Sequence, residues 1–142
     1  MNNDFEKTAG GKVELGDEEL SRITGGDGVE LDDSTGSSIV FDRAVGEIGK
    51  PFVWGGVGPD GYDASGLVGY CLTGVYDRIG TAQTFLDGLI PTGNPKPGDI
   101  CANSTYCGIY AGPGIMISAS HSGTFVDYNG IPGDMVIGKY SV

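Results

Sequence analysis

The chain has 142 residues, with 8 basic and 19 acidic side chains and a formal net charge of -11. This length suits one domain rather than two, and 27 glycines favour turns and close backbone packing over long helices. The acidic balance argues against nucleic acid or an anionic membrane surface as a partner, and no apolar run approaches the ~20 residues that span a bilayer.

Residues 1–36 are polar and acidic, and one segment within them, residues 13–26, has a helical pattern. Leu15, Leu20 and Ile23 recur at near-helical spacing, and two glycines follow them. One interpretation is a short amphipathic helix that ends at a glycine cap. The segment also resembles the double-glycine leader peptides of bacteria, which peptidase-containing ABC transporters cut after the second glycine.

The leader resemblance implies that residues 1–26 are removed, and we predict an acidic linker over residues 27–36. It also implies an ABC transporter as partner and a product that is secreted after a cytoplasmic precursor stage. Similar leaders precede ribosomally made, modified peptides, so a peptide-type bacteriocin precursor is an alternative. The positions expected to take part in leader recognition and cleavage are Leu15, Glu19, Leu20, Ile23, Gly25 and Gly26.

An apolar stripe predicts the next helix, over residues 39–48, with Ser37 and Ser38 as possible caps. Residues 51–67 then read PFVWGGVGPDGYDASGL, a glycine-rich turn followed by an acidic cap and a helix start. Asp63 is expected to accept hydrogen bonds from the free N–H groups of the first turn. Position 64 would therefore lie at a helix N-terminus, where a cysteine thiolate is favoured, but the chain has Ala64 there.

The second half of the chain predicts two further helices and then a sheet. The helices cover about residues 64–76 and 81–89, the second with Thr81 as a cap. Short segments divided by glycine, proline and polar turns predict an antiparallel meander of five strands, at about residues 99–102, 106–111, 115–119, 124–128 and 135–140. Helices followed by strands indicate an α+β domain.

Three segments together resemble the NlpC-type cell-wall endopeptidases, which are papain-like cysteine peptidases of bacteria. They are PFVWGGVGPDGYDASGL, the turn NPKPGDI at residues 94–100 and the strand YCGIY at residues 106–110. The resemblance covers about residues 37–142 and implies a papain-like NlpC fold, with two to three helices packed on a roughly five-stranded antiparallel sheet. It also implies that the nucleophile, base and orienting positions correspond to Ala64, Tyr106 and Ser118.

A cysteine peptidase needs a thiolate, an imidazole that takes its proton and a polar group that orients the ring. None of these groups stands at the three positions, and a tyrosine with an ordinary pKa near ~10 is a poor base at neutral pH. Replacement at all three positions favours natural degeneration over one laboratory substitution. The prediction is a catalytically inactive domain; the alternative is an active cysteine endopeptidase, a peptidoglycan hydrolase whose nucleophile at position 64 has been replaced.

The remaining candidates for chemistry are one histidine and three cysteines. His121 is expected at an exposed strand end, while Cys71 and Cys107 are expected to face the core. Cys101 and Cys107 flank a tight turn, and either a disulfide or two free buried thiols fits that spacing. No cysteine or histidine has the spacing of zinc ligands, so neither a metal nor a cofactor is expected.

Aromatic and polar residues around position 64 predict a binding cleft. Trp54 either packs beside the helix, with Gly55 and Gly56 permitting a tight turn, or contacts a ligand in the cleft. The predicted function is non-catalytic binding of cell-wall peptide or of a protein partner, with a bacteriocin-like effector as one form of it. The expected cleft residues are Phe52, Trp54, Tyr62, Asp63, Ser65 and Tyr106.

Overall fold

The computed structural model describes residues 33–141, with side-chain surroundings from residue 38 onward. The predicted leader and most of the predicted linker lie outside the described residues, and the proposed domain boundaries stay predictions. Within the described range the helices are α1 (Asp33–Gly46), α2 (Ala64–Thr73) and α3 (Ala82–Gly88). The strands are β1 (Ile90–Pro91), β2 (Ile100–Ala102), β3 (Cys107–Gly112), β4 (Ile115–Ser118), β5 (Asp127–Gly130) and β6 (Val136–Lys139).

Helix α1 begins at Asp33, six residues before the predicted start, and ends at Gly46. The prediction relied on the apolar stripe, and a helix can continue through polar sequence beyond the face that packs. Only part of that stripe is covered: Val40 and Ala44 are buried, whereas Ile39 is exposed. None of the helices among residues 33–141 is both long and apolar enough to span a membrane.

Helix α2 starts where the sequence predicts and stops earlier. Asp63 is its N-cap, and the Gly66 N–H donates to the Asp63 carboxylate at 2.7 Å. The helix ends at Thr73 because Gly74 takes a left-handed conformation, with φ of 76°, and donates its N–H to the Tyr70 carbonyl. The predicted extension to about residue 76 was therefore wrong.

Helix α3 confirms the predicted cap. The Thr84 N–H donates to the Thr81 hydroxyl at 3.3 Å, and the Thr81 N–H donates to the Thr84 hydroxyl at 3.1 Å. This reciprocal pair satisfies two N–H groups of the first turn. Phe85 on the inner face of α3 is fully buried.

The six strands form one antiparallel sheet in the order β1-β6-β2-β3-β4-β5. The predicted meander is present from β2 to β5, but β6 returns to pair with β2 on its other side. Strand β1 was missed because it has only two residues, one of them a proline. The fourth strand was placed too early: the segment before β5 instead pairs with the loop after α1, through the Pro51–Phe125 bridge.

The three helices and the sheet enclose the main core, as the α+β prediction requires. Leu67 and Phe85 from the helices pack with Ile109 and Ile117 from the sheet, and all four are fully buried. A smaller cluster on the other sheet face contains Cys101, Tyr110 and Met116.

The register of β2 and β3 shows whether Cys101 and Cys107 form a disulfide or remain free thiols. Cys101 pairs with Gly108, and Cys107 pairs with Ala102, so the two cysteines are offset by one position. Because side chains alternate between faces along a strand, Cys107 lies in the main core and Cys101 lies in the smaller cluster. Both are free, buried thiols, and the predicted orientation of Cys107 toward the core is confirmed.

Candidate functional site

The glycine-rich loop that precedes α2 lies directly against the first turn of that helix. The Asp63 N–H donates to the Gly56 carbonyl at 3.0 Å. A Cβ atom on Gly66 would overlap that same carbonyl oxygen, so the close approach of loop and helix depends on glycine at position 66. Ala64 is thereby held as the first residue of α2 and faces a cleft.

Asp63 does more than cap the helix, since its carboxylate also binds a basic side chain. The Arg78 guanidinium lies 2.7 Å from Asp63 Oδ2 and donates to Ser65 Oγ at 2.7 Å. Arg78 was not among the predicted site residues, because the 13 and 15 positions that separate it from Ser65 and Asp63 follow no local pattern. The result is an ordered polar cluster at the start of α2.

Tyr106 also lines the cleft, and Ser118 is its hydrogen-bond partner. The Tyr106 hydroxyl lies 2.5 Å from Ser118 Oγ, and the Asn129 side-chain amide donates to that same oxygen at 2.9 Å. Ser118 is fully buried, and Asn129, which sequence analysis did not single out, comes from β5. Burial raises the pKa of Tyr106 above its ordinary value, against the smaller effect of hydrogen bonds to Ser118 and Ser120. Tyr106 therefore keeps its proton at neutral pH.

The cleft is a cavity of about 300 Å³. It brings together five of the six residues predicted to form it and also Ala64. Its lining residues are Phe52, Trp54, Asp63, Ala64, Ser65, Thr81, Ala82, Ser104, Thr105, Tyr106 and Ser120. Ser118 lies behind Tyr106 rather than in the lining. The catalytic ancestry assigned to Ala64, Tyr106 and Ser118 stays a prediction, but Ala64 and Tyr106 line the same cavity.

Tyr62 corrects the predicted set, because it belongs to the core and not to the cleft. It is fully buried, its ring lies 5.8 Å from that of Tyr70, and its hydroxyl donates to Glu47 Oε1 at 2.8 Å. Residue 62 pairs with Phe52 in a β-bridge, which turns its side chain inward while Asp63 turns toward the cleft.

The solvent exposure of Trp54 excludes one of the two interpretations given for this residue. The indole is 90% exposed and lines the cleft, so the interpretation that it packs beside the helix was wrong. Gly55, with φ of 73°, supports the turn that follows it.

Neither a cysteine nor the histidine lines the cleft. Burial raises the pKa of Cys101 and of Cys107 to about 12, and it also raises the pKa of Cys71. His121 is exposed, as predicted, and its ring nitrogen Nδ1 lies 3.0 Å from the Ser122 carbonyl. Among the residues that the structure describes, no group of three or more His, Cys, Asp or Glu side chains is arranged to hold a metal ion.

Comparison with known sequences matches the NlpC/P60 family over residues 49–140, well over half of the chain. A probable endopeptidase of Corynebacterium glutamicum is 37% identical over 97 residues, which cover 64% of this chain and 46% of that protein. The gamma-DL-glutamyl hydrolase of Bacillus subtilis is 36% identical over 106 residues, which cover 66% of this chain and 26% of that protein. The chain thus spans less than half the length of these two relatives.

Solved structures carry the same fold. The peptidoglycan hydrolase RipB of Mycobacterium tuberculosis is 25% identical with a TM-score of 0.61, over 75% of this chain and 65% of that chain. RipD of the same organism is described as a non-catalytic NlpC/p60 domain protein adapted to peptidoglycan binding. It is 23% identical with a TM-score of 0.57, over 75% of this chain and 97% of that chain, and this likeness concerns the fold alone. On the family match over residues 49–140, with the fold in agreement, this chain belongs to the NlpC/P60 family.

Proposed function

We propose that this domain binds peptidoglycan in its cleft without hydrolysing it. The observation that carries the proposal is Ala64, a methyl group at the helix N-terminus where a thiol peptidase presents its nucleophile to the cleft. Tyr106, hydrogen-bonded to Ser118, lines the same cleft and keeps its proton at neutral pH. The cleft has a largely polar lining that contains neither a thiol nor an imidazole.

A rewired nucleophile does not fit the geometry. Cys107 is the cysteine nearest in sequence to Tyr106, yet it is fully buried on the core side of the sheet. With a pKa raised to about 12, its thiol is almost wholly protonated at neutral pH. His121 would have to serve as base from an exposed turn outside the cleft.

The choice of peptidoglycan as ligand rests on the family. Relatives are named as probable endopeptidases and as a peptidoglycan hydrolase. RipD is a protein of the same fold that is described as non-catalytic and peptidoglycan-binding, so this fold is compatible with binding without hydrolysis. Binding of the cell-wall peptide, as the sequence predicts, would be one form of the proposed binding to peptidoglycan.

A binding assay on purified cell walls tests the proposal. The protein should sediment with insoluble peptidoglycan and should release no soluble fragments from it. Tyr76→Ala is a matched control, because Tyr76 is a half-exposed aromatic that stacks on Tyr70, 5.0 Å away, and does not line the cleft. Lysis of the wall would show an active hydrolase, and a protein that stays in the supernatant would remove the binding claim.

We also propose that residues 1–26 act as a double-glycine leader for export by a peptidase-containing ABC transporter. The support is the sequence register of the apolar positions and the glycine pair at residues 25–26. The mature product, a secreted and bacteriocin-like effector, would then begin at Asp27. Mass spectrometry of the secreted protein gives its first residue; a secreted form that still carries residues 1–26 would contradict the leader.

A further inference from the structure

The cleft is lined mainly by hydroxyl groups. Six of its eleven lining residues carry one, and the set is Ser65, Thr81, Ser104, Thr105, Tyr106 and Ser120. Five of the six hydroxyls already share a hydrogen bond with a neighbouring protein group, and Ser104 is the exception among them. A hydroxyl both donates and accepts, so each still has hydrogen-bonding capacity for a ligand that is itself covered with hydroxyl groups.

Charge in the cleft disfavours an anionic ligand. Asp63 is the one charged residue in the lining, and the whole chain has a net charge of -11. The nearby Arg78 guanidinium is already bound to Asp63 and Ser65. A peptide with free carboxylates would thus find no basic side chain in the lining to pair with. A neutral ligand needs no such partner, so its affinity does not depend on one.

Trp54 supplies a flat aromatic surface at this cleft. Its indole is 90% exposed, although a large apolar ring is usually covered in a folded domain. A ligand that stacks on it would bury apolar area while its own polar edges reach the hydroxyl wall. A pyranose ring fits both requirements: its flat C–H-bearing face can stack on the indole, and its edge carries hydroxyl groups.

The size of the cleft supports a small occupant. Its volume of about 300 Å³ lies at the lower end of the range for small-molecule sites. Ala64 and Ala82 add methyl groups to the lining, which suit contact with the methyl of an acetamido group.

We propose that the cleft binds a neutral N-acetyl amino sugar of the glycan strand, stacked on Trp54, rather than the stem peptide. This inference rests on the proposed function, because it names the part of peptidoglycan that enters the cleft. Ala64 then contributes as apolar lining, in the place where a hydrolase would present its sulfur to a peptide.

The test uses the intact chain and its single tryptophan. Titration with a neutral N-acetylglucosamine tetrasaccharide should shift Trp54 emission to shorter wavelength and saturate. Calorimetry should show binding weakened about tenfold or more in Trp54→Ala, from the loss of ring contact, and unchanged in Tyr76→Ala. Because Trp54 is exposed, circular dichroism should show Trp54→Ala folded as the parent is.

Three ligands separate this inference from the proposed function: intact peptidoglycan, the neutral N-acetylglucosamine tetrasaccharide, and soluble stem peptides. Binding to the first two and not to the third supports the inference. Binding to intact wall and stem peptides but not to the tetrasaccharide overturns it and leaves the proposed function standing. Failure to bind intact wall overturns both, and tetrasaccharide binding that is equally tight in Trp54→Ala overturns the stacking on Trp54.

Discussion

At the scale of single residues, position 64 combines a reactive location with an inert side chain. It is the first residue of α2, beside the free N–H groups of the first turn, and it faces the cleft. A thiolate there would be favoured by the helix N-terminus. Tyr106, in the same cleft, has a raised pKa; it is already protonated at neutral pH and cannot take a proton from a thiol. These two residues are the basis of the proposal that the cleft binds its ligand without hydrolysing it.

Ala64→Cys should produce a reactive thiol without producing a peptidase. At pH 8 the new cysteine should react with iodoacetamide ~100-fold faster than the three native cysteines, which are buried and protonated. The check is alkylation rate by mass spectrometry, together with a wall-lysis assay. Lysis by this single variant would contradict the inactivity assigned to the Tyr106 position.

Tyr106→Phe should lower the free energy of unfolding by about 1–2 kcal/mol, because it removes one hydrogen-bond partner of the buried Ser118. Ser118 keeps its bond from Asn129, which limits the loss. Tyr110→Phe is the matched control, since Tyr110 is buried on the same sheet face and its hydroxyl has no hydrogen-bond partner among the described residues. Urea unfolding measures both, and equal losses would argue against the Tyr106–Ser118 bond.

At the scale of elements, the site depends on the contact between the glycine-rich loop and the start of α2. The Gly56 carbonyl accepts the Asp63 N–H, and Gly66 leaves the room that this carbonyl needs. Asp63 then caps the helix and holds Arg78. The same contact therefore sets the helix start, the position of Ala64 and the turn that displays Trp54.

Gly66→Ala should destabilise the protein by about 2 kcal/mol or more, because the added methyl group would overlap the Gly56 carbonyl and push the loop away. Gly46→Ala is the control: it lies at the end of α1, and a Cβ there meets nothing within 4 Å. Its effect should be near zero or slightly stabilising, because alanine favours helix more than glycine does. Thermal unfolding compares the two, and a neutral Gly66→Ala would refute the close-contact argument.

At the scale of the whole molecule, the core contains several groups that ionise only at high pH. Burial raises the pKa of Cys101 and Cys107 to about 12, from an ordinary value of 9.0. Burial, with a hydrogen bond to Glu47, also raises the pKa of Tyr62. In the unfolded chain these groups lose their protons at a lower pH than in the folded protein. Their neutral forms thus contribute stability below pH 9, and this is lost as the pH rises toward 12.

The free energy of unfolding should therefore fall on going from pH 8 to pH 10.5, by roughly 1–2 kcal/mol for each buried thiol. Urea unfolding at the two pH values measures the fall. Cys101→Ala removes one of the titrating groups, so the fall should be smaller in that variant whatever its stability at pH 8. Stability that stays level or rises with pH would show that these thiols ionise as readily in the folded protein as in the unfolded chain.

Local sequence rules were sufficient for the helix start, the turns and most of the sheet. The Asp63 cap, the Thr81 cap and strands β2, β3 and β4 follow from side chains that act on backbone within a few residues. Contacts between segments that are distant in the chain could not be predicted from local sequence. The return of β6 to β2 and the Arg78–Asp63 ion pair join positions with no shared periodicity.

The sequence by itself determined the fold class, the helix N-terminus at position 64 and the absence of a thiol there. These follow from local capping, hydrophobic period and the identity of one residue. Tertiary structure alone decided that Tyr62 enters the core while Trp54 faces solvent, and that Cys101 and Cys107 lie on opposite sheet faces. Strand register and loop packing set which way a side chain turns, and both depend on contacts between segments far apart in the chain.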